Sequence, residues 1–173
     1  LTPDPGLLLV CLQSYGEQDP PESGRWRMRA GDRPARRHND LRTMQQHLLE
    51  IGQRLGYLAT SEGVRQVIWR EGSGPVIYSF HLVASAVIGD LVLASQDGSQ
   101  RPVLVYPNSR ANLTAYKTRT DPRMRQAIQE RWRLLKFRHL RNLAENPNLT
   151  RENFEELLAL DPMEHTGPQM PLL

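Results

Sequence analysis

Apolar residues recur along this chain with two different spacings, and the spacing separates helices from strands. Five aliphatic residues lie three or four positions apart, which predicts one buried face of a helix: Leu41, Met44, Leu48, Ile51 and Leu55. This helix is expected to begin at Asn39 or Asp40, either of which can cap it, and to end at Gly56. Residues 25–40 before it show no clean period and are interpreted as an extended arm.

Two segments beyond this helix have the β-branched and aromatic content of strands. Residues 64–69 and 76–83 are separated by Glu71–Pro75, a glycine-rich connection typical of a hairpin. Both faces of the second segment are largely apolar, which predicts a central strand. Residues 102–106 form a third buried strand that stops at Pro107.

The other segments are assigned from caps and breakers. Residues 84–94 favour a short helix, and residues 107–120 form a polar connection with a short strand at 113–116. Asp121 and Pro122 begin a long helix that is expected to continue to Asn146, with Trp132 on its buried stripe. Thr150 caps a last helix, and the chain is expected to be loose after Pro162.

The predicted order is helix, strand, strand, helix, strand, helix. It indicates an α/β fold of three layers, a small mixed β-sheet flanked by helices. At 173 residues and 39% apolar content, the chain can bury one core. We divide it into an N-terminal arm (1–38), an α/β core (39–145) and a C-terminal helix and tail (146–173).

Three short motifs within this order resemble the PD-(D/E)XK, or restriction-endonuclease-like, nuclease superfamily. They are Ile51–Tyr57 at the end of a helix, Gln66–Trp69 in the first strand and Phe80–Ser85 in the second. Trp69, Phe80 and Ser85 match the family's pattern as they stand. The resemblance covers roughly residues 40–140 and implies a restriction-endonuclease-like core.

The positions that carry acids in such nucleases hold other residues in this chain. Gln66 takes the place of the aspartate, His81 that of the glutamate, and Val83 that of the second acid or lysine. These enzymes hold Mg²⁺ with hard carboxylate oxygens. A neutral amide, an imidazole and an alkyl group cannot replace that set, so we expect a vestigial pocket with no metal and no cofactor.

The charge of the chain is unevenly distributed. The net charge is only +3, but residues 25–42 hold seven arginines against two aspartates, and residues 123–141 hold seven cations against one glutamate. Arginine-rich clusters suit bidentate contact with phosphates. The predicted nucleic-acid contacts are Arg25, Arg27, Arg29, Arg36 and Arg37 on the arm, and Arg131, Arg133, Arg138 and Arg141 on the long helix. The alternative is that these arginines form a solvated face or pair with acids.

The resulting hypothesis is a catalytically inactive, nuclease-like domain in a prokaryotic DNA-processing or defence assembly, where it contacts DNA or provides an assembly surface. One alternative is a pure protein–protein scaffold that docks through its apolar N-terminal run and Trp26, on a partner or on the remainder of a larger chain. A second is a metal-dependent nuclease whose acids have migrated to Glu50 and Glu71.

Cysteine content and hydropathy suggest a compartment. A single cysteine, Cys11, excludes an internal disulfide framework and fits a reducing interior. The apolar run Leu7–Leu12 has no preceding basic segment and is too short for a signal peptide or a membrane span. We therefore expect a cytoplasmic protein with no membrane association. Because the chain opens on Leu1, we also expect it to be a piece of a longer polypeptide.

Overall fold

The computed structural model describes residues 4–94 and 101–159. Its helices are α1 (Pro5–Tyr15), α2 (Pro34–Arg54), α3 (Gly89–Ala94), α4 (Ala111–Thr120), α5 (Pro122–Glu130), α6 (Phe137–Glu145) and α7 (Arg151–Ala159). Its strands are β1 (Gly16–Gln18), β2 (Trp26–Met28), β3 (Leu58–Ser61), β4 (Gln66–Arg70), β5 (Val76–Leu82), β6 (Arg101–Tyr106) and β7 (Arg133–Lys136). Two 3₁₀ turns, Ala30–Asp32 and Asn108–Arg110, precede α2 and α4.

The main sheet has five strands in the order β3-β4-β5-β6-β7, and a separate hairpin pairs β1 with β2. Strands β3, β4 and β5 are antiparallel neighbours, whereas β5, β6 and β7 run parallel. This mixed sheet with helices around it confirms the predicted three-layer α/β fold. Strand β5 lies in the middle of the sheet, as its two apolar faces predict.

Each face of the sheet buries its own core. On one face, α2, α6 and α7 pack over an aromatic cluster that includes Trp69, Tyr78, Phe80 and Phe154. On the other face, α3, α5 and Trp132, which follows α5, cover Leu104 and Tyr106 of β6. Neighbouring residues of a strand point to opposite faces, so β6 contributes to both cores.

Helix α2 comes closest to the sheet at Gly52. The Trp69 indole lies against the bare backbone there, and a Cβ on Gly52 would stand 2.6 Å from the indole nitrogen. That nitrogen donates a hydrogen bond to the carbonyl oxygen of Leu48, at 3.1 Å. Glycine at this position thus lets the largest ring of the core pack directly against the helix.

Several predicted features are confirmed. All five residues of the predicted helix face are buried, and Gly56 follows α2 with φ +80°, the conformation expected of a glycine C-cap. The Asp121 side chain caps α5 through the amides of Arg123 and Met124. Thr150 accepts a hydrogen bond from the Asn153 amide at the start of α7. The expected loose tail after Pro162 lies outside the described residues.

The predicted extended arm over residues 25–40 is wrong. This segment contains β2, a 3₁₀ turn and the first seven residues of α2, which begins at Pro34 and not at Asn39 or Asp40. Pro34 occupies the first turn, where its missing amide proton is not needed. Of the arginines expected on an extended arm, Arg27 lies in β2 and Arg36 and Arg37 lie in α2.

The predicted long helix from Asp121 to Asn146 is also wrong, because α5 ends at Glu130 and strand β7 separates it from α6. Leu134 belongs to one core and Leu135 to the other, as neighbours in a strand do. Residues 113–116 lie in helix α4 and not in a short strand, whereas the predicted helix in residues 84–94 is confined to Gly89–Ala94. No described helix is long and apolar enough to cross a membrane.

Candidate nucleic-acid interface

The positions aligned with nuclease acids come together on one face of the sheet. Gln66 and His81 are cross-strand partners in β4 and β5, and Ser79 lies between them. The Gln66 amide donates to the Ser79 hydroxyl at 3.1 Å, and that hydroxyl lies 3.0 Å from Nε2 of His81. The three polar side chains therefore form one hydrogen-bonded chain.

Apolar groups surround this chain. The rings of His81 and Trp132 meet edge to face at 5.2 Å, and the Trp132 indole donates to the carbonyl oxygen of Val92. Val83 packs against the same core. The residues present do not fit the Mg²⁺ ion that the nuclease resemblance implies, since they supply no carboxylate. Within residues 4–94 and 101–159, no group of three His, Cys, Asp or Glu side chains is placed to hold a metal ion.

The two glutamates considered as migrated acids lie elsewhere. Glu71 follows Arg70 at the hairpin end of β4, about 16 Å along the strand from Gln66 at ~3.3 Å per residue, and it is paired with Arg151 at 2.8 Å. Glu50 lies on α2, which packs against the opposite face, and accepts a hydrogen bond from Gln46. The structure therefore does not bring Glu71 to the Gln66–His81 pair, and Glu50 belongs to the helix on the other side of the sheet.

The arginines of residues 25–37 differ in their partners. Arg27 is paired with Glu17 and Asp19, and Arg29 donates to the carbonyl oxygen of Gln13. Arg37 lies 3.7 Å from Asp32. The side chains of Arg25 and Arg36 are exposed. Three of the five predicted phosphate contacts are thus engaged within the fold.

Arg131 and Arg133 lie at the amino end of β7, beside a cavity of about 410 Å³. Glu130 and Glu155 line the same cavity, and Arg101 is paired there with Glu155. The Arg133 guanidinium donates to the carbonyl oxygen of Trp132. This end of the sheet mixes arginines with two glutamates, of which Glu155 is paired with Arg101.

Arg138 and Arg141 lie on α6 at the carboxyl end of β7, where a second cavity of about 350 Å³ opens. The backbone amide of Arg138 donates to the Asn108 side chain at 3.0 Å, and Arg141 lies 3.7 Å from Asp40. Arg36 is one turn before Asp40 on the same stripe of α2. We call Arg36, Asp40, Asn108, Arg138 and Arg141 the carboxyl-end cluster.

The electrostatics of this cluster are positive. In the described part of the chain, the guanidinium groups of Arg36 and Arg138 form neither a hydrogen bond nor an ion pair with an acid. Partial burial, and then the charge of Arg138, lower the pKa of Lys136 at the end of β7. Lys136 and Arg138 are thus two like charges close to each other, and an anion bound there would reduce their repulsion.

A buried arginine that the sequence reading missed lies behind this cluster. Arg110 is fully buried, and its guanidinium bonds Asp32, the carbonyl oxygen of Ser14 and the Ser109 hydroxyl. Its guanidinium carbon also lies 3.6 Å from the centre of the Tyr15 ring. The sequence carried no signal for this contact, because Asp32 is 78 residues away.

Comparisons with protein-family models, with curated proteins and with solved structures find no match to this chain.

Proposed function

We propose that this chain is a catalytically inactive, nuclease-like domain that contacts the phosphates of DNA through the carboxyl-end cluster. The observation that carries the proposal is that Arg138 and Arg141 of α6 line one open cavity together with Asp40 of α2, and that Arg36 lies one turn before Asp40 on the same stripe of α2. Exposed guanidinium groups at such an edge suit bidentate contact with phosphate oxygens. Contacts of this kind position a protein on DNA without reading its sequence.

The lack of catalysis rests on the Gln66–Ser79–His81 chain. These groups form hydrogen bonds with one another and supply no carboxylate for a hard cation. Without a metal to activate water and to stabilise the leaving phosphate, the family's chemistry has no catalyst. We therefore assign the domain a binding role in a larger DNA-processing assembly.

The test is the salt dependence of DNA binding. Three phosphate contacts give a slope of log affinity against log salt of about −2.7, which is a loss of about 40-fold between ~50 and ~200 mM salt. Anisotropy titration of a labelled duplex measures this slope. Absence of binding at the lower salt concentration would overturn the proposal.

A matched pair of double variants locates the contacts. Replacing Arg138 and Arg141 with Gln should reduce the slope by about two contacts, whereas replacing Arg131 and Arg133 with Gln should leave it unchanged. Both pairs remove two exposed arginines at an end of β7, so they change net charge equally. An equal loss in both variants would show that binding follows net charge and not the cluster.

Asp40→Asn tests the cluster from the opposite direction. Asp40 lies 3.7 Å from Arg141 and competes with any phosphate for that guanidinium. Removing its charge should raise DNA affinity by roughly three- to tenfold, since a like charge is removed from beside the bound phosphate. An unchanged or weaker affinity would exclude Asp40 from the binding surface.

An assembly surface is the second candidate function. Leu8 and Leu9 of α1 are about half exposed (51% and 50%), and Val87 is 77% exposed. Trp26, the other expected anchor, is only partly exposed and packs beside Gly16. Size-exclusion chromatography before and after nuclease treatment separates the two functions, because a protein assembly keeps its size when nucleic acid is digested.

A further inference from the structure

The buried side chain of Arg110 joins the two walls of the carboxyl-end cluster. It closes the 3₁₀ turn whose first two residues, Asn108 and Ser109, line the cavity. On its other side it bonds Asp32, which immediately precedes Arg33 and the first turn of α2. One guanidinium therefore connects the turn that supports α6 with the segment that starts α2.

This contact is specific and costly to form. Burying a guanidinium is unfavourable unless charged and polar partners compensate for the lost water. Arg110 has the Asp32 carboxylate, two oxygens and a ring face, while its Nε has no hydrogen-bond partner among the described residues. Because Arg110 is fully buried, it cannot itself reach a phosphate.

Asp32 carries the constraint onward to α2. Its carboxylate is paired with Arg110 and also lies 3.7 Å from Arg37 of α2. One acid therefore connects the buried arginine with the beginning of α2. Arg36 is the residue before Arg37 on that turn, and Asp40 lies one turn after Arg36. The contacts of Asp32 with Arg110 and Arg37 therefore help to set the position of Arg36 relative to α6.

We propose that Arg110 is a positioning residue for phosphate binding, holding Arg36 at the correct distance from Arg138 and Arg141. This inference rests on the proposed function. It assigns to a buried arginine an effect on DNA affinity that its own charge cannot exert directly. It also makes the Ser14–Asp32 segment part of the binding machinery.

The test compares Arg110→Met with Arg151→Met. Arg151 is a matched control because it also bonds backbone carbonyl and carboxylate oxygens, at Leu55 and Glu71. Leu55 is 15 residues along α2 from Asp40, about 22 Å at ~1.5 Å per residue. Each variant is first checked for folding by circular dichroism and then titrated with duplex DNA.

In folded protein, Arg110→Met should weaken binding about tenfold and reduce the salt slope by about one contact, because Arg36 loses its place. Arg151→Met should change neither. A thermodynamic cycle with Arg36→Gln separates positioning from general destabilisation. The variant that combines Arg110→Met with Arg36→Gln should bind DNA like Arg110→Met alone, within about twofold. Additive losses, or unchanged affinity in folded Arg110→Met, would overturn the inference.

If Arg110→Met fails to fold, Asp32→Asn provides the test, since it keeps Arg110 and weakens the contacts of residue 32 with Arg110 and with Arg37 of α2. A loss of about threefold that is not additive with Arg36→Gln supports positioning, and wild-type affinity overturns it. The two proposals fail differently. Wild-type protein without salt-dependent binding refutes the DNA function, whereas normal binding by the Arg110 and Asp32 variants refutes only the positioning role.

Discussion

Strand β5 presents different chemistry to the two faces of the sheet. Toward α2 and α7 it presents Tyr78, Phe80 and Leu82, which join an aromatic cluster. Toward α3 and α5 it presents Ser79 and His81, which bond each other and Gln66. One face is stabilised by ring packing and the other carries a neutral polar strip within an apolar surround.

The contrast means that the two faces of the sheet can change independently of each other. The aromatic face does not depend on what the polar face contains, because the two cores share only the sheet backbone. A polar strip that is satisfied internally costs little, whereas unpaired carboxylates there would have to be neutralised or bound to a cation. Substitutions on the two faces should therefore have different consequences.

The largest effect is expected for Trp69→Ala. The indole is fully buried and lies within 6 Å of the rings of Tyr57, Tyr78, Phe80 and Phe154. Its removal should reduce the free energy of unfolding by about 3–5 kcal/mol. Denaturant unfolding measures the loss, and a value below about 2 kcal/mol would show that the cluster repacks readily.

Restoring acids to the polar face should give the next largest effect. Combining Gln66→Asp with His81→Glu places two carboxylates on cross-strand partners. We expect a loss of about 2–3 kcal/mol without divalent cation, because adjacent, partly buried carboxylates repel. Millimolar Mg²⁺ or Mn²⁺ should raise the melting temperature of this variant but not of wild type.

Thermal unfolding with and without the cation measures this difference, with Gln66→Asp alone as the control. A double variant that is indifferent to both cations would show that the polar strip does not have the geometry of a nuclease pocket. That result would argue against the nuclease resemblance without affecting the DNA-binding proposal.

A smaller effect is expected for Tyr78→Phe. The phenol bonds Glu155 and Arg101, and burial, followed by the hydrogen bond to Glu155, raises the pKa of Tyr78. Removing the hydroxyl should cost about 1–2 kcal/mol near neutral pH. Since the fold favours the neutral phenol, its contribution is complete below a pH of about 10 and is lost as pH rises further.

Comparing unfolding near pH 8 with unfolding near pH 11 tests the sign. Wild type should lose more stability over this interval than Tyr78→Phe does. Tyr106, on the other face, is a control, because burial alone raises its pKa. Tyr106→Phe should also flatten the alkaline loss but should cost less at neutral pH. A Tyr78→Phe variant with the full alkaline loss would contradict the assignment.

The smallest effect is expected for Ser79→Ala. Ser79 is almost fully buried, and its hydroxyl joins the Gln66 amide to the His81 ring. Its removal should cost about 1 kcal/mol, the usual value of one buried hydrogen bond. A loss as large as that for Trp69→Ala would mean that the polar strip, and not the aromatic cluster, dominates the stability of the sheet.

Elements with strong local signals could be predicted from the sequence. The α2 face needed only aliphatic spacing, and the ends of α2 and α5 followed from Gly56 and Asp121. Strand β7 could not be distinguished from a helix, because its four residues hold only two apolar positions, too few to show a period. Strand β3 is short and largely exposed, so it carried no hydrophobic signal at all.

The candidate site was predictable only in part. Arginine clustering indicated Arg36, Arg138 and Arg141, but not which of the nine arginines were already paired. The register of the β1–β2 hairpin brings Arg27 to Glu17 and Asp19, which pair with it, and no local sequence pattern specifies this contact. The pairing of Arg110 with Asp32 joins distant segments and required the fold itself.

Gly52 sets the distance between α2 and the sheet. Arg36 lies 16 residues before it, about 24 Å along a helix at ~1.5 Å per residue, so a small tilt at the indole becomes a larger displacement at the far end. A methyl group added at residue 52 would have to displace either Trp69 or the whole of helix α2. The spacing of the cations of the carboxyl-end cluster is thus governed partly by an absent side chain at the opposite end of the helix.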